Sequence, residues 1–172
     1  MPPSYIKTVK DVIYYYYSKL VIAPAARLRN NYGFIIHTFK KLRNGEIKIS
    51  DYDREILKQM NSTEKQCAYC NEKDITSLTQ EHVIPLECGG PKSPHNIIFV
   101  CKKCNSSKGS KDLIKWWTED LKKKIDDLPR IPAGLYLKLC YDAHKLKNSL
   151  DSSCNKLVNL WPFGKSSLYG RK

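Results

Sequence analysis

Apolar residues near the start of the chain, Ile6, Val9, Val12, Ile13, Tyr16 and Leu20, recur mostly every three or four positions. That period places them on one side of a helix, so residues 5–22 and roughly 26–42 read as two helices broken at "APAA". "NGE" is a turn, and "SDYDREILKQM" reads as a third helix with Ser50 or Asp51 as its N-cap. "NSTEKQ" is a polar connector. The period then shortens: "LTQEHVI" and "NIIFVC" are β-like runs, and "CKKCNSSKGSKD" suits a short polar helix. Beyond it, "DLIKWWTEDLKKKIDDLP" lines up Leu113, Trp117, Leu121, Ile125 and Leu128 on one helical side before Pro129 and Pro132. "AGLYLKLCYDAHKLKNSL" repeats the pattern with Leu135, Leu139, Ala143, Leu146 and Leu150. The expectation is an α+β chain with a small strand–loop–strand–helix centre between helical flanks.

Four consecutive tyrosines, Tyr14 to Tyr17, cover every side of the first helix. They predict partial burial in the core with hydroxyls left wet. Cys140 and His144 lie four apart on the last helix and have no second pair near them. They read as an apolar thiol and an interfacial histidine.

With 172 residues, 41 % of them hydrophobic and 27 % charged, the chain is globular rather than disordered. The expected division is a basic helical extension over 1–65, a core over 66–117 and a second helical extension over 118–172. A net charge of +13 favours a polyanionic partner, nucleic acid before an anionic membrane surface. The excess sits in the flanks: 12 Lys/Arg against 6 Asp/Glu over 1–66 and 11 against 6 over 118–172, but only 7 against 5 between them. The opening "MPPSYIKTVKDV" lacks the charged, apolar and small-residue order of a secretory leader, and "VIYYYYSKLVIAPAA" is too short to cross a bilayer. A cytoplasmic protein is therefore expected, with no membrane partner. In that compartment seven cysteines argue for metal ligands or free thiols rather than disulfides.

"CAYC" (Cys67, Cys70) and "CKKC" (Cys101, Cys104) are two C-x2-C pairs separated by 30 residues. Two such pairs complete a four-thiolate tetrahedral site for Zn²⁺, which is coordinatively closed and therefore structural. A redox dithiol would need a thioredoxin-like strand–helix setting, which neither pair has. Within the bracket come Glu81-His82, Pro85, Gly89-Gly90 and Asn96, and just after it Asn105 and Lys108.

In this order and spacing, "CAYC", "EHVIP", "GG", "HNIIFVC", "CKKCN" and "SSK" resemble the HNH endonucleases, in the zinc-knuckled branch of the ββα-metal nucleases. Asn105 stands where many members have histidine. The resemblance implies a ββα-metal core in which His82 is the general base, while Glu81 and Asn105 hold a catalytic Mg²⁺ or Mn²⁺. It also implies that Asn96 tethers the loop carrying the base and that the cysteines hold structural Zn²⁺.

The chemistry is consistent with those roles. An imidazole titrates where a general base is useful at neutral pH, and carboxylate and amide oxygens are hard donors suited to Mg²⁺ or Mn²⁺. Adjacent strand residues face opposite ways, so Glu81 and His82 can share a site only if the strand bends or ends there, as Pro85 permits. Lys108, three residues after Asn105 on one helical face, and Lys102, Lys103 and Lys111 are the expected phosphate contacts.

The expected activity is metal-dependent hydrolysis of DNA phosphodiesters, with RNA open as a substrate. It would serve restriction, homing or defence, and double-strand cleavage would call for a homodimer. The alternative is a zinc-stabilised nucleic-acid-binding module that does not cleave.

Overall fold

A computed structural model describes residues 2–49, 58, 65–73 and 77–164. Helix α1 (Val9–Tyr17) starts at a reciprocal cap. Thr8 Oγ1 accepts from the Asp11 amide (3.1 Å), and Asp11 Oδ2 accepts from the Thr8 amide (3.3 Å). The helix continues through a π-helical stretch, Ser18–Ile22, into a last turn, Ala23–Ala25, so the expected break falls at the end of "APAA" rather than at its start. Pro24 has no N–H and would press on a preceding carbonyl in a regular α-helix; widening the preceding turn relieves that conflict. Helix α2 (Tyr32–Arg43) follows, capped by Asn31 Oδ1 on the Phe34 amide. The helix expected over 50–60 lies outside the described residues, Lys58 apart.

Strands β1 (Thr79–His82) and β2 (Ile97–Val100) pair antiparallel, with Thr79 opposite Val100, Glu81 opposite Ile98 and His82 opposite Ile97. Helix α3 (Lys102–Lys108) leaves β2 directly, with Cys101 as its N-cap. Helix α4 (Leu113–Lys115) starts at Asp112, whose Oδ1 accepts from the Ile114 and Lys115 amides, and runs into a π-helical segment, Trp116–Asp120.

The helix expected to run on to Leu128 stops there. The chain reverses with Lys122 at φ +53°, and Trp117 Nε1 donates to the Lys124 carbonyl at 2.9 Å. Lys123 Nζ lies over the Trp117 ring, 4.5 Å from its centroid. Folding back lets three consecutive lysines reach water while the tryptophan is buried. Helix α5 (Arg130–Leu146) accommodates Pro132 in its first turn, where an N–H has no helical partner.

One hydrophobic cluster takes residues from both flanks and from the centre: Val12 and Tyr17 from α1, Val83 just after β1, Ile98 from β2, and Tyr136 and Leu139 from α5. Of the four tyrosines, Tyr15 and Tyr17 are buried, and Tyr14 and Tyr16 half-buried. Helix α5 is the joint between the parts. Arg130 Nε donates to the Val21 carbonyl at 3.1 Å, and Tyr136 Oη donates to Asp112 Oδ2 at 2.8 Å. The terminal segments pair across Thr8 and Ser153. The protein is thus α+β, with a two-stranded sheet and one helix at its centre. Among the described residues, no helix is long and apolar enough to cross a membrane.

Candidate active site

The cysteine bracket closes as its spacing requires. The sulfurs of Cys67, Cys70, Cys101 and Cys104 all lie within 4.8 Å of one another, and those of Cys70 and Cys101 are 3.9 Å apart. Four thiolates at zinc–sulfur distance around one ion would sit roughly 3.8 Å apart, so the cluster fits a structural metal such as zinc. The knuckle is built by the backbone. Ala68 donates to the Phe99 carbonyl (3.0 Å), Asn71 takes φ +60° with its N–H on the Cys67 carbonyl, and Cys101 Sγ accepts from the Cys104 amide.

Burial disfavours the Cys67 thiolate, yet surrounding backbone N–H groups outweigh it and hold the thiol below its usual range. Burial and the neighbouring sulfurs push Cys104 up, as crowded thiolates must until a cation offsets their charge. Behind the knuckle, Tyr69 and Trp116 meet edge to face, and Trp116 Nε1 donates to Ser107 Oγ on α3.

Above this base, β1 ends at His82, and the chain turns through Val83, Ile84 and Pro85. Asn96, fully buried, clamps that turn. Its Oδ1 accepts from the Ile84 amide (2.8 Å), and its Nδ2 donates to the carbonyls of Ile84 (2.8 Å) and Pro91 (3.0 Å). Gly90 closes the same turn. A Cβ there would collide with the Ile84 carbonyl, so the second glycine of the pair is dictated by close backbone approach. Among the described residues, the side-chain hydrogen bonds of Asn96 thus all go to the backbone of this turn.

A groove of about 220 Å³ opens where β1 ends against α3. Glu81, His82 and Asn105 all line it, with Gln80, Pro85 and Ser110 among the other walls. The end of the strand at His82 is what lets two adjacent side chains share it. His82 is half-buried, whereas Glu81 is only 5 % exposed. Burial pushes the Glu81 carboxyl above its ordinary value, against the opposing pull of Lys108 and His82. Asn105 is held by its nitrogen: Nδ2 donates to Thr79 Oγ1 (2.8 Å) and to the Gln80 carbonyl (3.3 Å).

The lysines divide. Lys108, expected at a phosphate, is fully buried. Its Nζ is 2.6 Å from Glu81 Oε1 and 3.2 Å from the His82 carbonyl. The reason is positional: Lys108 lies on the face of α3 turned to β1, so its stem crosses the core to the strand's last two residues. An ammonium so enclosed is presented to Glu81 rather than to the surface, where a phosphate contact was expected of it. Lys111 is exposed but engaged with Asp120 Oδ2 (2.5 Å) and the Ser107 carbonyl. Lys102 and Lys103 are exposed in the first turn of α3.

Sequence reasoning did not single out Thr79, nor the C-terminal strap that places Trp161 Nε1 on the Cys88 carbonyl at 2.8 Å. A threonine two residues before the acid carries no signal without the fold. The closing "WPFGKSSLYGRK" is uninformative as sequence.

Two antiparallel strands, the helix that leaves the second, and a four-sulfur cluster at their base, fit for a structural metal, define a ββα core. Residues 67–112, from the first cysteine to the cap of α4, match the HNH endonuclease family. The resemblance carried by the motifs is therefore found over that segment, and it points to nuclease activity on nucleic acid. No curated protein and no solved structure matches the chain.

Proposed function

We propose that the protein is a metal-dependent endonuclease hydrolysing DNA phosphodiester bonds, with His82 as the general base. The observation that carries this reading is the shared groove. An imidazole, a carboxylate and an amide oxygen line one small cleft at the end of β1, braced from below by the cysteine cluster. His82 takes the proton of the attacking water. Glu81, through its oxygen not bonded to Lys108, and Asn105, through Oδ1, are hard donors that fit Mg²⁺ or Mn²⁺. Such a cation, when bound, supplies charge neutralisation at the phosphate and at the departing 3′ oxygen.

Lys108 acts here as a positioning residue, since it fixes the Glu81 side chain and the His82 backbone together. Asn96 fixes the turn that follows them. The exposed Lys102 and Lys103 supply phosphate contacts that carry no sequence information.

A plasmid-nicking assay on zinc-replete protein, with Mg²⁺ or Mn²⁺ and with His82→Ala beside it, tests the reading. Wild type should convert supercoiled DNA to open circles ending in 5′-phosphate and 3′-hydroxyl. The His82→Ala variant should lose about 10²–10⁴-fold in rate, the usual contribution of a general base. Metal-independent or absent cleavage of DNA and RNA overturns it. The rival, a binding module without turnover, draws on the engagement of Glu81 by Lys108. It predicts salt-sensitive DNA affinity and no nicking.

A further inference from the structure

Asn105 shows which of its two ends it can offer. The group 3.3 Å from its Nδ2 is the Gln80 carbonyl, which has no proton to give, so the side-chain atom facing it must be the nitrogen. The second partner, Thr79 Oγ1 at 2.8 Å, agrees. The Thr79 hydroxyl already donates to the Val100 carbonyl across the strand pair (3.1 Å), leaving its oxygen as an acceptor. Both amide protons of Asn105 are thus engaged by β1, and the amide cannot flip without setting its oxygen against a carbonyl. An asparagine held this way presents only an acceptor to the groove. It suits a cation and cannot donate to a phosphate oxygen.

We propose that Thr79 is a positioning residue of the groove. Its hydroxyl, oriented by Val100 O, holds the Asn105 amide so that Oδ1 faces a divalent cation, fixing Asn105 as a cation ligand rather than a phosphate donor. This rests on the nuclease reading for the identity of the ligand, but it concerns cation binding alone. It also gives a physical sense to asparagine where many family members have histidine. A neutral imidazole can be oriented through its one N–H, whereas an amide needs two acceptors to lock it, and Thr79 and Gln80 supply both.

The test is Mn²⁺ titration of the full-length, zinc-replete chain, by calorimetry or by the spin-resonance signal of free Mn²⁺, with zinc content and far-ultraviolet dichroism measured in parallel. Thr79→Val should weaken Mn²⁺ binding about tenfold or more, the usual effect of removing a ligand's hydrogen-bond partner. Thr79→Ser, which keeps the hydroxyl, should stay close to wild type. Asn105→Asp should also bind Mn²⁺ more weakly than wild type despite its added charge, because a carboxylate cannot donate to Thr79 and Gln80 and must turn away.

The inference is overturned if Thr79→Val matches wild type, if Thr79→Ser falls as far as Thr79→Val, or if Asn105→Asp binds more tightly. It is equally overturned if the wild-type chain binds no Mn²⁺. Should Thr79→Val fail to fold, Asn105→Asp decides. A chain that binds Mn²⁺ in this Thr79-dependent way but cuts no nucleic acid removes the nuclease reading and leaves the inference standing.

Discussion

Lys108 Nζ lies 2.6 Å from Glu81 Oε1 in a pair almost closed to water: Lys108 is fully buried and Glu81, at the wall of the groove, is 5 % exposed. An ion pair so enclosed gains Coulomb attraction but loses the hydration of both ions, so its net worth against two apolar residues is small. Removing one partner is different, since it strands the other.

Glu81→Gln, which leaves the ammonium beside a neutral amide, should destabilise the zinc-loaded protein by about 3–5 kcal/mol. Lys108→Met should cost less. The Glu81 carboxyl, already pushed up by burial, loses the charge that opposed that push and takes up a proton instead. The double variant should be clearly more stable than the sum of the two losses implies. Urea unfolding of the four proteins measures the coupling, and additivity to within about 0.5 kcal/mol would show that the two groups do not act as a pair.

The cysteine cluster makes a second prediction, because Cys101 belongs to three structures at once. It follows the last residue of β2, caps α3 and contributes a sulfur to the cluster. Without a cation to draw the sulfurs together, β2 and the helix α3, which carries Asn105 and Lys108, lose their common anchor. Cys101→Ser, or treatment with a strong chelator, should abolish stoichiometric zinc and lower the melting temperature sharply. Cys154→Ser, which removes a thiol outside the cluster that donates to the Lys156 carbonyl, should keep both. Metal content by mass spectrometry beside thermal melts checks the pair. Full zinc occupancy in Cys101→Ser would contradict the four-sulfur assignment.

What could be read in advance follows from how chemistry leaves marks on a chain. Metal ligands must sit at fixed short spacings, so Cys67, Cys70, Cys101 and Cys104 stood out. The strands, 79–82 and 97–100, fell within the runs expected for them: β2 is made of β-branched and aromatic residues, and β1 ends just before Val83 and Ile84. Gly90 was visible as half of a doublet, but its cause, the Ile84 carbonyl against its α-carbon, is purely three-dimensional.

The errors have a common source. Helical periodicity records which residues are buried, not which backbone buries them, so Leu121, Ile125 and Leu128 looked like a continuing helix although the chain turns back after Asp120. The burial of Lys108 was hidden for a similar reason. Spacing placed it on the right face of α3, but nothing local says that this face is turned inward. Thr79 was illegible because its role depends on a helix 26 residues away.

His144 offers a pH test away from both the cysteine cluster and the groove. It is 8 % exposed on α5, with Nε2 2.6 Å from the Leu160 carbonyl and Nδ1 2.8 Å from Ser149 Oγ. The carbonyl can only accept, so Nε2 carries the proton in the neutral ring, and Nδ1 accepts from the serine. Burial holds the imidazole below its ordinary 6.5, with nearby Lys147 acting in the same direction and the Leu160 carbonyl against both.

A depressed histidine is neutral in the fold where the unfolded chain would already be protonated. Its contribution to stability is therefore complete above about pH 6.5 and is lost as the pH falls from there through the folded value. The slope from one proton is at most about 1.4 kcal/mol per pH unit. Melting curves of wild type and His144→Gln between pH 8 and 5.5 should converge on acidification. Wild type is the more stable at the alkaline end, and its advantage shrinks below pH 6.5. The strap from Leu160 to Trp161, which reaches the Cys88 carbonyl beside the groove, should loosen over the same interval, and tryptophan fluorescence would follow it. A wild-type advantage that stays constant or grows toward acid pH would mean that the ring is not held neutral in the fold.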